Sequence, residues 1–225
     1  MRNKYVGEQA KKYSEFADKD FSWVYLEKPF VKRILGNRNN SNKKVLDLGC
    51  GQGRSIDVLR GCKYLDKNIT GVDISKDLLK VAQKRFPDIG FVKGDVLSVD
   101  FPDSSFDTIL TVMVLHFFTP NELSKIFSKC HRWLGNNGQF VLATLHPSRF
   151  AYKDLDVYFK ENQRTDKTPW GTTLDYVHKT FSTYINTLIK SGFKIKELEE
   201  PHVRRKVNEK YSKPTRFCIL ATKTS

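Results

Sequence analysis

The chain has few residues that would place it in a membrane or in an oxidising compartment. No run approaches the roughly 20 apolar residues that a membrane helix needs, and residues 1–7 lack the apolar core of a signal peptide. Its four cysteines are far apart and form no CxxC pair, which argues against a zinc knuckle and a disulfide framework. We therefore expect a cytoplasmic protein with free thiols, no membrane contact and no metal.

Acidic residues are also scarce. The 225 residues include 39 Lys and Arg but only 25 Asp and Glu, a net charge of +14. Residues 1–44 carry 11 basic and 5 acidic residues, residues 45–146 carry 12 and 11, and residues 147–225 carry 16 and 9. The excess therefore lies in the two flanks. It fits either nucleic-acid binding or a lysine-rich surface that keeps the protein soluble.

Short apolar segments through the near-neutral middle have the spacing of strands in a parallel sheet. Helix-length gaps separate them, which is typical of βαβ units. The expected strands are 45–48, 69–73, 90–93, 106–112 and 138–144, followed by 193–199 and 215–222. The pattern predicts an α/β fold.

The flanks differ from this α/β pattern. Residues 1–44 are predicted to form an N-terminal helical cap, and residues 45–225 the α/β domain. Within that domain, residues 147–180 contain aromatic side chains without a clear period. We interpret this insertion as a lid over a substrate. A basic run at residues 204–206 lies between the last two predicted strands.

The strongest motif is the run Asp47-Leu48-Gly49-Cys50-Gly51-Gln52-Gly53, which joins a predicted strand to a predicted helix. Glycines there let a ligand approach the backbone closely. Asp73 ends the next strand, 20 residues after Gly53, where its carboxylate can accept both hydroxyls of a ribose. Nicotinamide enzymes use this layout with G-x-G-x-x-G/A spacing, but here the third glycine comes one residue early.

The D-x-G-x-G-x-G form resembles the class I S-adenosylmethionine-dependent methyltransferases, and among them the small-molecule, type 11-like enzymes. The segment Val92-Lys93-Gly94-Asp95-Val96 is similar to the family's segment after strand 3, whose acid bonds the adenine amino group. Residues 112–117 resemble the stretch that lines the methionine end of the cofactor, and residues 133–138 the turn before strand 5. The resemblance covers about residues 40–146.

This resemblance implies a Rossmann-like three-layer sandwich. Its mostly parallel seven-stranded sheet would have a final antiparallel strand, and the N-terminal helical cap would lie beside it. The cofactor would be S-adenosylmethionine, with S-adenosylhomocysteine as the product. The residues expected to bind it are Tyr13, Gly49, Cys50, Gly51, Gly53, Asp73, Ile74, Asp95, Val96, Thr111, Val112 and His116.

Catalytic and substrate-binding residues are expected beyond the carboxyl ends of the strands. Histidines titrate near neutrality and are the candidate bases. The candidates are His116 after strand 4, His146 after strand 5, and His178 just after the aromatic part of the insertion. The residues expected to contact the substrate are Trp23, Tyr152 and Trp170.

Three functions remain open from the sequence. The first is methyl transfer to a nucleophilic oxygen or nitrogen of a small molecule. The second is methylation of RNA, such as a tRNA, with the basic flanks holding the phosphate backbone. No RRM or KH signature and no Asn/Asp-Pro-Pro-aromatic motif accompanies them. The third is a non-catalytic subunit that binds the cofactor. The protein could act as a monomer or as a homodimer.

Overall fold

A seven-stranded sheet forms the centre of the protein. The computed structural model describes residues 5–151, 155–204 and 206–224. The strand order is β3-β2-β1-β4-β5-β9-β8. The strands of this sheet are β1 Val45–Leu48, β2 Ile69–Asp73, β3 Gly90–Lys93, β4 Phe106–Val112, β5 Leu134–Leu145, β8 Phe193–Glu199 and β9 Arg216–Lys223.

Strands β1 to β5 are parallel, and β9 is antiparallel to both of its neighbours, β5 and β8. The final strand therefore lies one place inside the sheet edge. This arrangement confirms the expected Rossmann-like sheet with a final antiparallel strand.

Helices cover both faces of this sheet, because each has one apolar side. Helices α2 and α3 contribute to one buried cluster, and α5 and α7 to the other. Helix α5 begins at a capping box in which Thr119 and Glu122 satisfy each other's backbone N–H groups. The helices are α1 Glu8–Ala17, α2 Lys28–Gly36, α3 Ile56–Gly61, α4 Lys76–Arg85, α5 Pro120–Trp133, α6 Ser148–Ala151 and α7 Phe181–Lys190.

The insertion contains a β-hairpin that the sequence did not reveal. Strands β6 Gln163–Lys167 and β7 Thr173–Val177 pair in an antiparallel manner. Strand β6 has no buried residue, so it lacks the alternation of apolar and polar residues by which a strand is recognised. Leu174 and Tyr176 of β7 are buried with Leu145 at the end of β5. The hairpin thus packs over the carboxyl end of the sheet.

No helix in the described ranges is long and apolar enough to cross a membrane.

Candidate functional site

The glycine loop after β1 is fixed to the end of β2. The N–H groups of Gly49 and Cys50 both donate to the carbonyl of Val72, at 2.7 and 2.9 Å. Gly49 has φ +81°, and a Cβ added there would lie 2.2 Å from Val114 Cγ2. Only glycine fits this position, because a larger residue would be strained in its backbone and would clash with Val114. Gly49 therefore adds no side chain to the space beyond the carboxyl ends of the strands.

Asp73 lies at the carboxyl end of β2 and holds the glycine loop from the other side. One carboxylate oxygen accepts the N–H of Gly51 and the other accepts the N–H of Ser75, both at 2.8 Å. Burial raises the pKa of Asp73, while these N–H groups oppose the rise by stabilising the ionised form. Each carboxylate oxygen can accept further hydrogen bonds. The geometry therefore suits a pair of ligand hydroxyls.

A cavity, called the first cavity below, opens between Asp73 and a second acid, Asp95. Most of the other side chains in its wall are apolar, which suits a nucleoside with polar groups at two separate points. The first cavity is lined by Tyr5, Tyr13, Gly49, Gly51, Asp73, Ile74, Leu78, Asp95, Val96, Val112, Met113, Val114, Phe117 and Phe118.

Asp47, at the start of the motif, is buried beneath this loop. Its Oδ2 has no hydrogen-bond partner in the described part of the chain. Burial raises the pKa of Asp47 to about 7; Arg54 opposes the rise and Asp73 adds to it. Asp47 is not part of the wall of the first cavity, so its carboxyl group contacts the loop from the side away from that cavity.

A neighbouring cavity, called the second cavity below, shares Tyr5, Tyr13 and Met113 with the first. Its wall combines aromatic rings with charged side chains. The second cavity is lined by Tyr5, Tyr13, Phe16, Ala17, Asp20, Arg54, Met113, His116, Leu145, Arg149, Pro169, Trp170, Leu174, Tyr176, Lys210, Tyr211 and Arg216.

Aromatic packing joins the N-terminal helix to the hairpin above the second cavity. The ring of Trp170, between β6 and β7, lies 5.2 Å from that of Tyr13 and 5.4 Å from that of Phe16. Tyr5 packs on Tyr13 at 4.7 Å. These contacts bring the predicted cap and the predicted insertion together at the same place.

Met113 marks the junction of the two cavities. It follows β4 and has φ +61°, which is uncommon for a residue with a side chain. Its N–H donates to the carbonyl of Ala143 at 2.8 Å, so β5 holds this strained position. Such strain is concentrated at functional sites.

The chain's similarity to known proteins agrees with this geometry. A family model described as a methyltransferase domain matches residues 46–142. The crystal structure of an S-adenosylmethionine-dependent methyltransferase from Mesorhizobium loti is 26% identical, with a TM-score of 0.73 over 87% of this chain and 96% of that one. The chain is a class I S-adenosylmethionine-dependent methyltransferase. The prediction from the sequence is confirmed.

Relatives of the methyltransferase carry names that describe different substrates. Phosphoethanolamine N-methyltransferase of Plasmodium falciparum is 29% identical over 210 residues, which are 84% of this chain and 75% of that protein. Demethylmenaquinone methyltransferase of Thermotoga maritima is 34% identical over 122 residues, 52% of either chain. Family membership therefore leaves the substrate open.

Most of the expected cofactor residues of the methyltransferase line the first cavity. They are Tyr13, Gly49, Gly51, Asp73, Ile74, Asp95, Val96 and Val112. The other four do not line it. Cys50 is buried beside Gly71, Gly53 packs against Phe86, Thr111 is buried within β4, and His116 lines the second cavity instead.

The three predicted catalytic histidines lie in different surroundings. His116 lines the second cavity, with Nδ1 3.4 Å from the hydroxyl of Thr144. His146 lines neither cavity: Nδ1 accepts the N–H of Ser148 at 3.1 Å, and Nε2 lies 2.7 Å from Glu200. His178 also lies outside both cavities, and its Nε2 is 2.9 Å from the carbonyl of Tyr158. The rings of His146 and His178 each link separate loop segments and line neither cavity. Of the three histidines, the geometry therefore favours only His116 as the base.

The predicted substrate residues also differ in placement. Trp170 lines the second cavity, as expected. Trp23 is buried in the core beside α2, with the guanidinium of Arg54 5.0 Å from its ring centroid, and it lines neither cavity. Tyr152 lies outside the described residues.

Sequence reasoning missed the charged part of the second cavity. Arg54, Arg149, Lys210 and Arg216 come from four separate segments, and only the fold brings them together. Arg54 directly follows the glycine motif, so its position could have drawn attention to it. Nothing in the local pattern distinguishes the other three from surface residues.

The buried Asp47 predicts a pH dependence of stability in the ligand-free methyltransferase. Its folded-state pKa of about 7 lies above the ordinary 3.8, so the folded protein keeps a proton that the unfolded chain has lost. The stabilising contribution is complete below about pH 4, falls by about 4 kcal/mol as the pH rises to about 7, and is flat above. Urea unfolding at about pH 4.5 and 7.5 should show most of this loss in wild type relative to Asp47→Asn. The comparison is between the two proteins because buried histidines such as His116, with lowered pKa values, change the stability of both in the opposite direction.

The matched control for this titration is Asp66→Asn. Hydrogen bonding from Arg60 lowers the pKa of Asp66. The contribution of Asp66 to stability is therefore lost only as the pH falls below the ordinary value of 3.8, outside the range of this comparison. Relative to Asp47→Asn, the Asp66→Asn variant should therefore show the same loss of stability as wild type between the two pH values. An Asp47→Asn variant with the same trend as wild type would refute the assignment.

Proposed function

We propose that this methyltransferase transfers the methyl group of S-adenosylmethionine to a nucleophilic oxygen or nitrogen of a small molecule. The observation that supports this most is the second cavity, with its aromatic wall, which adjoins the first cavity at Met113. Residues 1–44 and 147–180 act as its cap and lid, with Tyr13 and Trp170 as their meeting point.

The residues of the first cavity fit the cofactor. Asp73 would hold the ribose hydroxyls, Asp95 the adenine amino group, and the loop from Gly49 to Gly51 the methionine moiety. Asp47 lines neither cavity and would act on this loop from beneath. When bound, S-adenosylmethionine supplies a methyl group to which the substrate's lone pair forms a bond, while the carbon–sulfur electron pair remains on sulfur.

Side chains of the second cavity would orient the nucleophile and exclude water. Burial lowers the pKa of His116 well below its usual value, and the positive charge of Lys179 adds to this effect. His116 is therefore neutral at pH 7, with a ring nitrogen that can accept the proton lost by the nucleophile. The aromatic rings of Tyr5, Tyr13 and Trp170 would keep bulk water away from this transfer.

Replacing His116 with alanine is expected to lower kcat about 100-fold, the lower range of general-base effects, with little change in affinity for S-adenosylhomocysteine. The wild-type rate should stay constant through neutral pH and fall only well below pH 6.5, where His116 becomes protonated. The exposed His202 gives the control His202→Ala. Wild-type kcat in His116→Ala would contradict the base role.

The substrate class can be tested by following a tritiated methyl group. The enzyme is incubated with labelled S-adenosylmethionine and either a deproteinised, RNA-free metabolite extract or total tRNA and rRNA. Label in small molecules is expected. Label found only in RNA would contradict the proposal and favour the RNA alternative.

We also propose that the enzyme works in the cytoplasm. Its four cysteines are buried and free, and free thiols persist in a reducing compartment.

A further inference from the structure

Arg54 is a buried cation in the wall of the second cavity without an anionic partner. The residue is only 9% exposed. In the described part of the chain, no acceptor hydrogen-bonds to its guanidinium and no carboxylate lies within 4.0 Å; its close contact is the Trp23 ring, at 5.0 Å. Burying a guanidinium without a hydrogen-bonded anion is costly. A bound ligand that supplies the anion would remove this cost.

The nearby carboxylate of Glu27 is paired with another arginine through one oxygen; its other oxygen, Oε2, has no hydrogen-bond partner among the described residues and forms no ion pair with Arg54 within 4.0 Å. Glu27 Oε1 accepts from Arg216 Nε at 2.7 Å, and both side chains are buried. Arg216 also donates to the hydroxyl of Ser22 at 2.9 Å. Glu27 thus balances the charge of Arg216, and Arg54 remains an additional positive charge.

The rest of the cavity wall leaves the positive charge in excess. Arg149 is paired with Asp166 at 2.6 Å, whereas Lys210 has no carboxylate within 4.0 Å among the described residues. Asp20 is the acidic residue in the wall itself. Lys210 and Arg54 together therefore outweigh Asp20. Burial lowers the pKa of Lys210, and the positive charges of Arg149 and Arg216 lower it further, as expected in a positive environment.

An orphaned hydrogen-bond donor lies in the same wall. The indole Nε1 of Trp170 is buried and has no hydrogen-bond partner among the described residues. Trp170 and Arg54 both line the second cavity. The cavity wall thus holds one buried donor that the described chain leaves without an acceptor, together with a guanidinium that has no carboxylate partner.

We infer that the substrate of this methyltransferase carries an anionic group, a carboxylate or a phosphate, which binds in the second cavity to Arg54 and Trp170. This inference rests on the proposed function and specifies its substrate class. Arg54 presents planar N–H groups that match two oxygens of either anion. The apolar part of the substrate would lie against the aromatic wall.

A groove next to the second cavity also has an excess of basic side chains. It shares Arg149 and Lys210 with the second cavity and adds Arg164, Lys167 and Lys213. Asp166 and Glu209 also line the groove, so its basic side chains outnumber its acidic ones by five to two. Such an excess of positive charge raises the local concentration of anionic ligands. The groove therefore gives an anionic small molecule a favourable approach.

Arg54→Gln removes the proposed anion contact, and Arg60→Gln is its matched control. Arg60 lies on α3, where it pairs with Asp66 at the surface, and lines neither cavity. Both variants lose one positive charge, so a difference between them reports position and not net charge. The affinity of each variant for S-adenosylhomocysteine is measured first by calorimetry.

The probes are two pairs of ligands that differ in one group: phenyl phosphate against phenol, and benzoate against benzamide. Each is titrated into protein saturated with S-adenosylhomocysteine. At least one anion is expected to bind wild type and Arg60→Gln about tenfold or more tightly than its neutral partner, an advantage of about 1.4 kcal/mol. That preference should disappear in Arg54→Gln while the affinity for S-adenosylhomocysteine changes less than about twofold.

Three results would overturn the inference. Neither anion binds better than its neutral partner, the preference persists in Arg54→Gln, or Arg54→Gln loses S-adenosylhomocysteine affinity, which would assign Arg54 to the cofactor's carboxylate. None of these results affects the proposed function, whose own failure would be label transferred only to RNA. The two failures are therefore distinguishable.

Discussion

Replacing Asp73 with asparagine is expected to weaken the binding of S-adenosylhomocysteine about 100-fold, equivalent to about 2.7 kcal/mol. The carboxylate accepts the N–H groups of Gly51 and Ser75, and it is the group placed to accept the ribose hydroxyls. An asparagine NH₂ must face one of these donors, so a hydrogen bond to a charged group is lost and two donors meet. Isothermal titration calorimetry measures the affinity directly.

The control for this variant is Asp107→Asn, at the opposite end of the same sheet. Asp107 also accepts a backbone N–H, from Lys44 at 2.9 Å, and its side chain is partly exposed. This substitution should leave the affinity within about twofold. If Asp73→Asn bound S-adenosylhomocysteine as tightly as Asp107→Asn, the first cavity would not be the cofactor site.

Gly49→Ala is expected to cost about 3 kcal/mol of unfolding free energy and to abolish measurable cofactor binding. A left-handed backbone at an alanine costs about 1–2 kcal/mol, and forcing an extra methyl group into packed atoms costs about 1–3 kcal/mol. The added Cβ would lie 2.2 Å from Val114 Cγ2, so the loop must move out of the first cavity wall. Urea unfolding and calorimetry report the two effects.

Two further variants separate backbone strain from the clash with Val114 as causes of the lower stability of Gly49→Ala. A Cβ on Gly61, near the end of α3, would meet no atom within 4 Å, so Gly61→Ala should be at least as stable as wild type. Adding Val114→Ala to Gly49→Ala removes the two Cγ atoms but leaves the backbone strain. Stability should therefore recover in part. A Gly49→Ala protein with wild-type stability and affinity would contradict this description of the loop.

The cofactor side of the site could be predicted from the sequence because its determinants are local. The glycine run and Asp73 follow successive strands of a regular βαβ pattern, and parallel strands bring their carboxyl ends together. Their positions along the chain therefore fixed their positions in space. Asp95 and Val112 were predicted from the resemblance of their segments to those of the methyltransferase family.

The substrate side depends on contacts between distant segments. Nothing in the sequence shows that His146 is held by Ser148 and Glu200, or that Arg216 on the last strand meets Glu27 beside α2. The excess charge of the flanks was visible, but its location was not. Part of it lines the second cavity, as Arg149, Lys210 and Arg216, while Lys11 and Lys12 of α1 are exposed.

A crystal structure of the protein with S-adenosylhomocysteine most directly tests whether the two cavities form one active site. The ribose hydroxyls are expected on Asp73, and the sulfur at the junction beside Met113, facing the second cavity with His116, Arg54 and Trp170 in its wall. A ligand bound elsewhere, or a sulfur turned away from the second cavity, would contradict this assignment.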